Sequence, residues 1–137
     1  VRDVMISGDR IPSVSTGSPA IQAVEEIDKK NLGFVLITGR DKKLLGILTD
    51  GDVRRFVRKG VNFRKKPVDD LMTPTPKTIS ENLSLAQALE IMEKYEITTL
   101  VVVNDKKELK GYVHLHDILG RGGTVRMSML NGNSRGS

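Results

Sequence analysis

The sequence predicts an α+β fold built from two tandem copies of one helix-strand-strand-helix unit, packed about a pseudo-twofold axis. The first observation behind this is repetition at a fixed interval. Gln22-Ala23 recurs as Gln87-Ala88, Lys42-x-Leu44-x-Gly46 as Lys107-x-Leu109-x-Gly111, and Asp52 as Asp117, each about 65 residues on. Upstream of each copy, Val1-Arg2-Asp3-Val4-Met5 answers Val68-Asp69-Asp70-Leu71-Met72. The second observation is size: a half of roughly 60 residues buries too little surface to be stable alone, so within 137 residues the halves are expected to share a core. Copies that share a core leave paired clefts between them, and function is sought in that seam. Residues 1–60 are assigned to copy 1, 61–67 to a basic linker, 68–120 to copy 2 and 121–137 to a tail.

In copy 1, Ser18-Pro19 reads as a helix start, with Ser18 as cap and Pro19 at the first helical position, where a missing N–H is harmless. Ile21, Val24 and Ile27 line one helical face until Asn31 to Gly33 stop it. Phe34 to Ile37 is an apolar run suited to a buried strand, Gly39 to Lys42 a turn, and Leu44 to Leu48 the returning strand. A second helix opens near Thr49, buries Val53, Phe56 and Val57, and ends at Gly60. Met72-Thr73-Pro74-Thr75-Pro76 is an extended lead into copy 2, because a residue before proline avoids the helical region. There, Ser84 with Gln87 makes a capping box, and Leu85, Ala88, Leu89 and Met92 form the apolar stripe. Leu100 to Val103 and Gly111 to Leu115 are strands around the Asn104 to Glu108 turn, and a short helix from His116 to Leu119 closes the unit. Arg121 to Ser137, rich in Gly, Ser, Asn and Arg, is expected to be disordered.

Composition narrows the function classes. No apolar run approaches the roughly 18 residues of a membrane span, and the polar start lacks the apolar stretch of a signal peptide, so a cytoplasmic protein is expected. With no cysteine there is no disulfide framework, thiolate metal site or cysteine nucleophile. The net charge of +5 is concentrated between Arg54 and Lys66, which reads as a solvated helix face running into a linker. Nucleic acid is the other obvious anion, but 4% aromatic content with no Trp offers little for base stacking.

The sharpest local signal is Gly46-Ile47-Leu48-Thr49-Asp50-Gly51-Asp52, a strand running into a helix. Thr49 would offer a hydroxyl and free amides to a phosphate, and Asp52 could accept hydrogen bonds from the two hydroxyls of a ribose. The same Thr-x-x-Asp spacing is equally a capping box that satisfies only the backbone. In copy 2 the stretch becomes Gly111-Tyr112-Val113-His114-Leu115-His116-Asp117, which exchanges the hydroxyl for an imidazole. His114 and His116 as a metal pair lack a third ligand. No catalytic set is present: there is no Gly-x-Ser-x-Gly, Walker A pattern or Gly-x-Gly-x-x-Gly. The carboxylate pairs Asp69 and Asp70, and Glu25 and Glu26, read as solvated, and Met5, Met72 and Met92 as core filler.

The Val-x-Asp-(Val/Leu)-Met starts, the element order and Gly-x-x-Thr-x-x-Asp together resemble a tandem pair of CBS domains, the Bateman module, over about Val1 to Gly120. The combination of Gly46 to Arg55, Met72 to Ile79 and His114 to Asp117 more narrowly resembles the C-terminal CBS pair of D-arabinose-5-phosphate isomerases. That resemblance implies a regulatory module whose catalysis lies in an N-terminal sugar isomerase (SIS) domain, so this stretch itself carries no catalytic residue. It implies nucleotide ligands in the clefts: CMP-Kdo or CMP from the Kdo and lipopolysaccharide pathway, or an adenine nucleotide. The implied ligand-binding set is Thr49, Asp52, Arg55, Thr78, Thr99, His114, His116 and Asp117, with no required cofactor and no metal. His114 departs from the family's usual hydroxyl. A homodimer of pairs is implied as well. The competing readings are an adenine-nucleotide sensor on another enzyme or transporter, and a purely structural dimerisation module.

Overall fold

A computed structural model describes residues 1–121. The expected disorder of 121–137 concerns a stretch that lies, beyond Arg121, outside the described residues. The chain folds in the order β1 (Ser13–Ser15), α1 (Ala20–Lys30), β2 (Phe34–Thr38), β3 (Leu44–Thr49), α2 (Asp50–Arg58), β4 (Thr73–Pro74), β5 (Thr78–Ser80), α3 (Leu85–Tyr95), β6 (Thr99–Val103), β7 (Leu109–His114) and α4 (Leu115–Arg121). In copy 1, β1 runs parallel to β2 after the α1 crossover, and β3 returns antiparallel with Phe34 opposite Thr49. Copy 2 repeats this: β5 is parallel to β6, and β7 is antiparallel with Thr99 opposite His114. The helix-strand-strand-helix order expected for each copy is observed, preceded in each by a short strand, β1 or β5, not expected from the sequence.

The copies exchange their lead segments. Thr73, in the lead segment at the start of copy 2, pairs with Ile47 on copy 1's β3, while Ile6, in that of copy 1, bridges to Tyr112 on copy 2's β7. Val4 packs into the core formed by Ile79, Leu89, Leu100 and Ile118, and Val68 and Leu71 pack into that of Ala23, Ile27, Val35 and Leu48. The two repeated glycines make this possible. A Cβ on Gly46 would stand 2.5 Å from Met72 Sδ and 2.8 Å from the Thr73 carbonyl oxygen, and one on Gly111 would overlap the Ile6 carbonyl oxygen. Glycine is required where another backbone crosses a strand this closely.

The polarity of the crossing differs between the halves. Asp69 accepts hydrogen bonds from the Gly17 amide (2.6 Å) and the Thr16 hydroxyl. At the matching place Arg2 donates to Asn82 and lies 3.7 Å from Glu81. The reading of Asp69 as a merely solvated carboxylate is thus corrected: it ties copy 2's lead to copy 1's β1–α1 loop. The two sheets then meet through Ile11, Phe34, Leu36, Val101, Leu109 and Tyr112, with Phe34 and Tyr112 edge to face at 5.5 Å. Leu36 and Val101 occupy equivalent positions, as do Lys43 and Glu108, which bridge to each other. Equivalent residues in mutual contact mark the pseudo-twofold axis.

Three local expectations differ from the structure. Ser18 makes no side-chain cap; the Ala20 amide donates to the Lys66 carbonyl and the Ile21 amide to that of Phe63, so the stretch read as a linker supplies the helix cap. Phe63 packs against copy 1's core in the same stretch. Val57 is 60% exposed, because only Val53 and Phe56 of α2 turn to the core. Thr75 has φ 49°, so the lead into copy 2 turns sharply after β4 and does not stay extended.

Candidate ligand-binding clefts

The first cleft, about 580 Å³, lies where β3 ends and β6 begins. Both copies build it: Thr49, Thr73, Thr75 and Lys77 on one side, Thr98 and Thr99 on the other, over an apolar floor of Phe34, Ile47 and Val101. Hydroxyls ring its rim because the turn after β4 and the start of β6 carry threonine where the chain leaves the core. Lys77 is held at the edge with its Nζ 3.3 Å from the Tyr95 ring centroid, a cation–π contact.

Thr49 is the N-cap of α2, and the capping-box reading of Thr-x-x-Asp is the observed local geometry. The Asp52 amide donates to Thr49 Oγ1 (3.1 Å), the Thr49 amide donates to Asp52 Oδ2 (3.0 Å), and Arg55 donates to Asp52 Oδ1 (2.9 Å). Asp52 does not line the cleft; it stands behind Thr49. Partial burial acts to raise the Asp52 pKa, but the hydrogen bonds from Thr49 and the Arg55 guanidinium outweigh it and hold the carboxyl below its ordinary value. Arg55, half exposed, also lies 5.3 Å from the Phe56 ring centroid. The Thr49 Oγ1 accepts inside the cap, so its proton is left to donate to a ligand.

The second cleft, about 340 Å³, is lined by Asp3, Ile6, Arg10, His116 and Asp117. His114 takes the place of Thr49, but its Nδ1 accepts from the His116 amide (3.1 Å) and its ring stacks on His116 with centroids 4.9 Å apart. In the neutral ring this leaves Nε2 as the N–H donor. No group of three or more His, Asp or Glu is placed to hold a metal among the described residues.

The CBS domain profile matches residues 1–59 and 68–122, which is nearly all of the described chain. The chain belongs to the CBS domain family. As a pair, it is 38% identical over 122 residues to arabinose 5-phosphate isomerase KdsD of Pseudomonas aeruginosa, and 37% identical to that of Escherichia coli K12. Both matches take in 89% of this chain and 37% of the relative, so the CBS pair spans little more than a third of those proteins' length. Among solved structures, a Pyrobaculum aerophilum CBS domain protein complexed with AMP superposes at TM-score 0.77 with 20% identity, covering 95% of this chain and 97% of that one. The CBS pair of protein MJ0100, complexed with 5′-methylthioadenosine and S-adenosyl-L-methionine, superposes at 0.73 with 24% identity, covering 90% and 95%. These two likenesses carry the fold.

Of the residues singled out from sequence, Thr49 and Thr99 meet in the larger cleft of the CBS pair, and His116 and Asp117 in the smaller. Asp52 and Arg55 form the cap network behind the first, and His114 stacks beside the second. Thr78 lies in β5 opposite Val101 and lines neither. Sequence reasoning missed Lys77 and Arg10. A cation at the same place after Met72 and after Met5 was the available signal.

Proposed function

We propose that this CBS pair is the ligand-sensing regulatory module of an arabinose-5-phosphate isomerase, binding a nucleotide or sugar nucleotide between its repeats, with CMP-Kdo as the ligand. The observation that carries this reading is the 37–38% identity to such isomerases across 89% of the chain. The larger cleft supports it: an apolar floor suits a base, and Lys77 with the Thr49 and Thr99 hydroxyls suits a phosphate and sugar. His116 and Arg10 supply cationic and donor groups for a carboxylate or phosphate in the smaller cleft, where Asp117 takes the ribose role. Catalysis belongs on this reading to a separate SIS domain in a cytoplasmic enzyme, and pairs associate as homodimers. Ligand binding regulates by favouring one arrangement of the module over another.

Thermal unfolding with CMP-Kdo, CMP, AMP and ATP tests it, since a ligand at about 100 times its Kd adds about 2.7 kcal/mol. A shift with the cytidine ligands alone is expected. The second reading, an adenine-nucleotide sensor, is favoured by the fold shared with AMP-bound and adenosyl-ligand-bound CBS proteins and predicts a shift with AMP or ATP. No shift with any of the four, together with a stable dimer, would leave the assembly role standing instead.

A further inference from the structure

A third cleft, about 1000 Å³, opens at the opposite end of the sheets from Thr49 and His114, where β2 ends at Thr38 and β7 begins at Leu109. Three exposed lysines from three separate elements converge on it: Lys29 from the last turn of α1, Lys42 from the β2–β3 turn and Lys110 from β7. None of the three has a carboxylate within ion-pairing distance among the described residues. Lys30, the fourth, is committed to Glu26 (2.9 Å) and the Asp9 carbonyl (2.6 Å). Converging like charges repel, and an anion among them relieves the repulsion. Beside an apolar part from Met5, Ile11 and Leu109, the lining carries partly buried Ser13 and Thr38, with Glu26 and Asp9. Carboxylates only accept hydrogen bonds, so the groups beside the lysines suit a ligand that donates several hydroxyls.

The repeat accounts for only part of this chemistry. At the equivalent positions, Tyr95 and Ile91 of copy 2 and Leu45 of copy 1 stand where Lys30, Glu26 and Lys110 stand here, while Lys94 and Lys107 repeat Lys29 and Lys42. The third lysine and the Lys30–Glu26 pair are thus found on one side of the pseudo-symmetric molecule, with aromatic or aliphatic residues at their counterpart positions. We propose that this cleft is a binding site for a phosphorylated sugar, with Lys29, Lys42 and Lys110 taking the phosphate and Glu26 and Asp9 the sugar hydroxyls. The site is independent of the nucleotide clefts.

The test is a titration of the isotope-labelled full chain with ribose 5-phosphate, and separately with inorganic phosphate, followed by amide chemical shifts. Saturable shifts at Gly8, Thr38 and Lys110 are expected. They weaken about tenfold in the K29Q/K42Q/K110Q variant, since each exposed charge contributes only a fraction of the interaction. The lysines are exposed, so unchanged peak dispersion verifies the fold of that variant. An R54Q/R58Q variant, which removes charge elsewhere, leaves the affinity unchanged. Shifts that do not saturate, that centre on Thr49 or Asp117, or that weaken equally in R54Q/R58Q overturn the site. Inorganic phosphate binding as tightly as the sugar phosphate overturns the assignment of the carboxylates to sugar hydroxyls.

Discussion

Gly111→Ala tests the exchange of lead segments at its tightest point. The added methyl would overlap the Ile6 carbonyl oxygen and stand 3.3 Å from Met5 Sδ. A backbone carbonyl cannot rotate aside as a side chain does, so the lead segment must move off β7. That breaks the paired bonds between Ile6 and Tyr112, 2.8 and 3.0 Å long. Two net hydrogen bonds at about 1 kcal/mol each, with some overpacking strain and loss of Val4 burial, give a cost of about 2–4 kcal/mol. At Gly46 the added methyl meets the end of a flexible methionine, Met72 Sδ, at 2.5 Å and the Thr73 carbonyl oxygen at 2.8 Å, a looser backbone approach than at Gly111, so Gly46→Ala costs about 1–2 kcal/mol. Reduced chain entropy in the unfolded state returns about 0.5 kcal/mol in both. Urea unfolding followed by circular dichroism at constant m reads the difference directly. The expected drop in Tm is several degrees larger for Gly111→Ala. Equal stabilities, or a worse Gly46→Ala, would refute the argument that the closer backbone crossing at Ile6 makes Gly111 the stricter of the two positions.

Asp69→Ala removes the tie to Thr16 and Gly17 and is expected to cost about 1 kcal/mol in chemical denaturation. Hydrogen bonds from the Thr16 hydroxyl and then the Gly17 amide lower the Asp69 pKa, so its contribution is complete above the unfolded value near 3.8 and is lost as pH falls through the lower folded value. A stability profile between about pH 5 and pH 2 should therefore be flatter in Asp69→Ala than in the parent. Asp52→Ala removes the Asp52 half of the α2 capping box, leaving the Thr49 cap, and should cost about 1 kcal/mol by itself; on the nucleotide reading it also weakens binding in the larger cleft more than in the smaller, measured by calorimetry. Asp117→Ala should do the converse, and equal affinities in the two variants would overturn the ribose assignment.

Much of the fold is legible along the chain because its signals are local. The α1 stop at Asn31, the Ser84–Gln87 and Thr49–Asp52 boxes, and the apolar runs of β2 and β6 each follow from the periodicity or hydrogen-bonding capacity of neighbouring residues. The fixed interval between copies predicts two like units, and Thr49 and Asp117 fall at their seam. Tertiary structure alone decided that each copy carries the other's lead segment, since two similar leads could dock on either of two similar sheets. The choice is made by contacts distant in sequence, Asp69 on the Thr16 loop and Arg2 on Glu81. Packing also decided that Asp52 stands behind the cleft, and that Lys77 and Arg10 reach cavities whose walls come from the other half of the chain. A cleft exists only where two surfaces meet, so its lining is a property of docking, whereas caps, strands and repeats are properties of the chain.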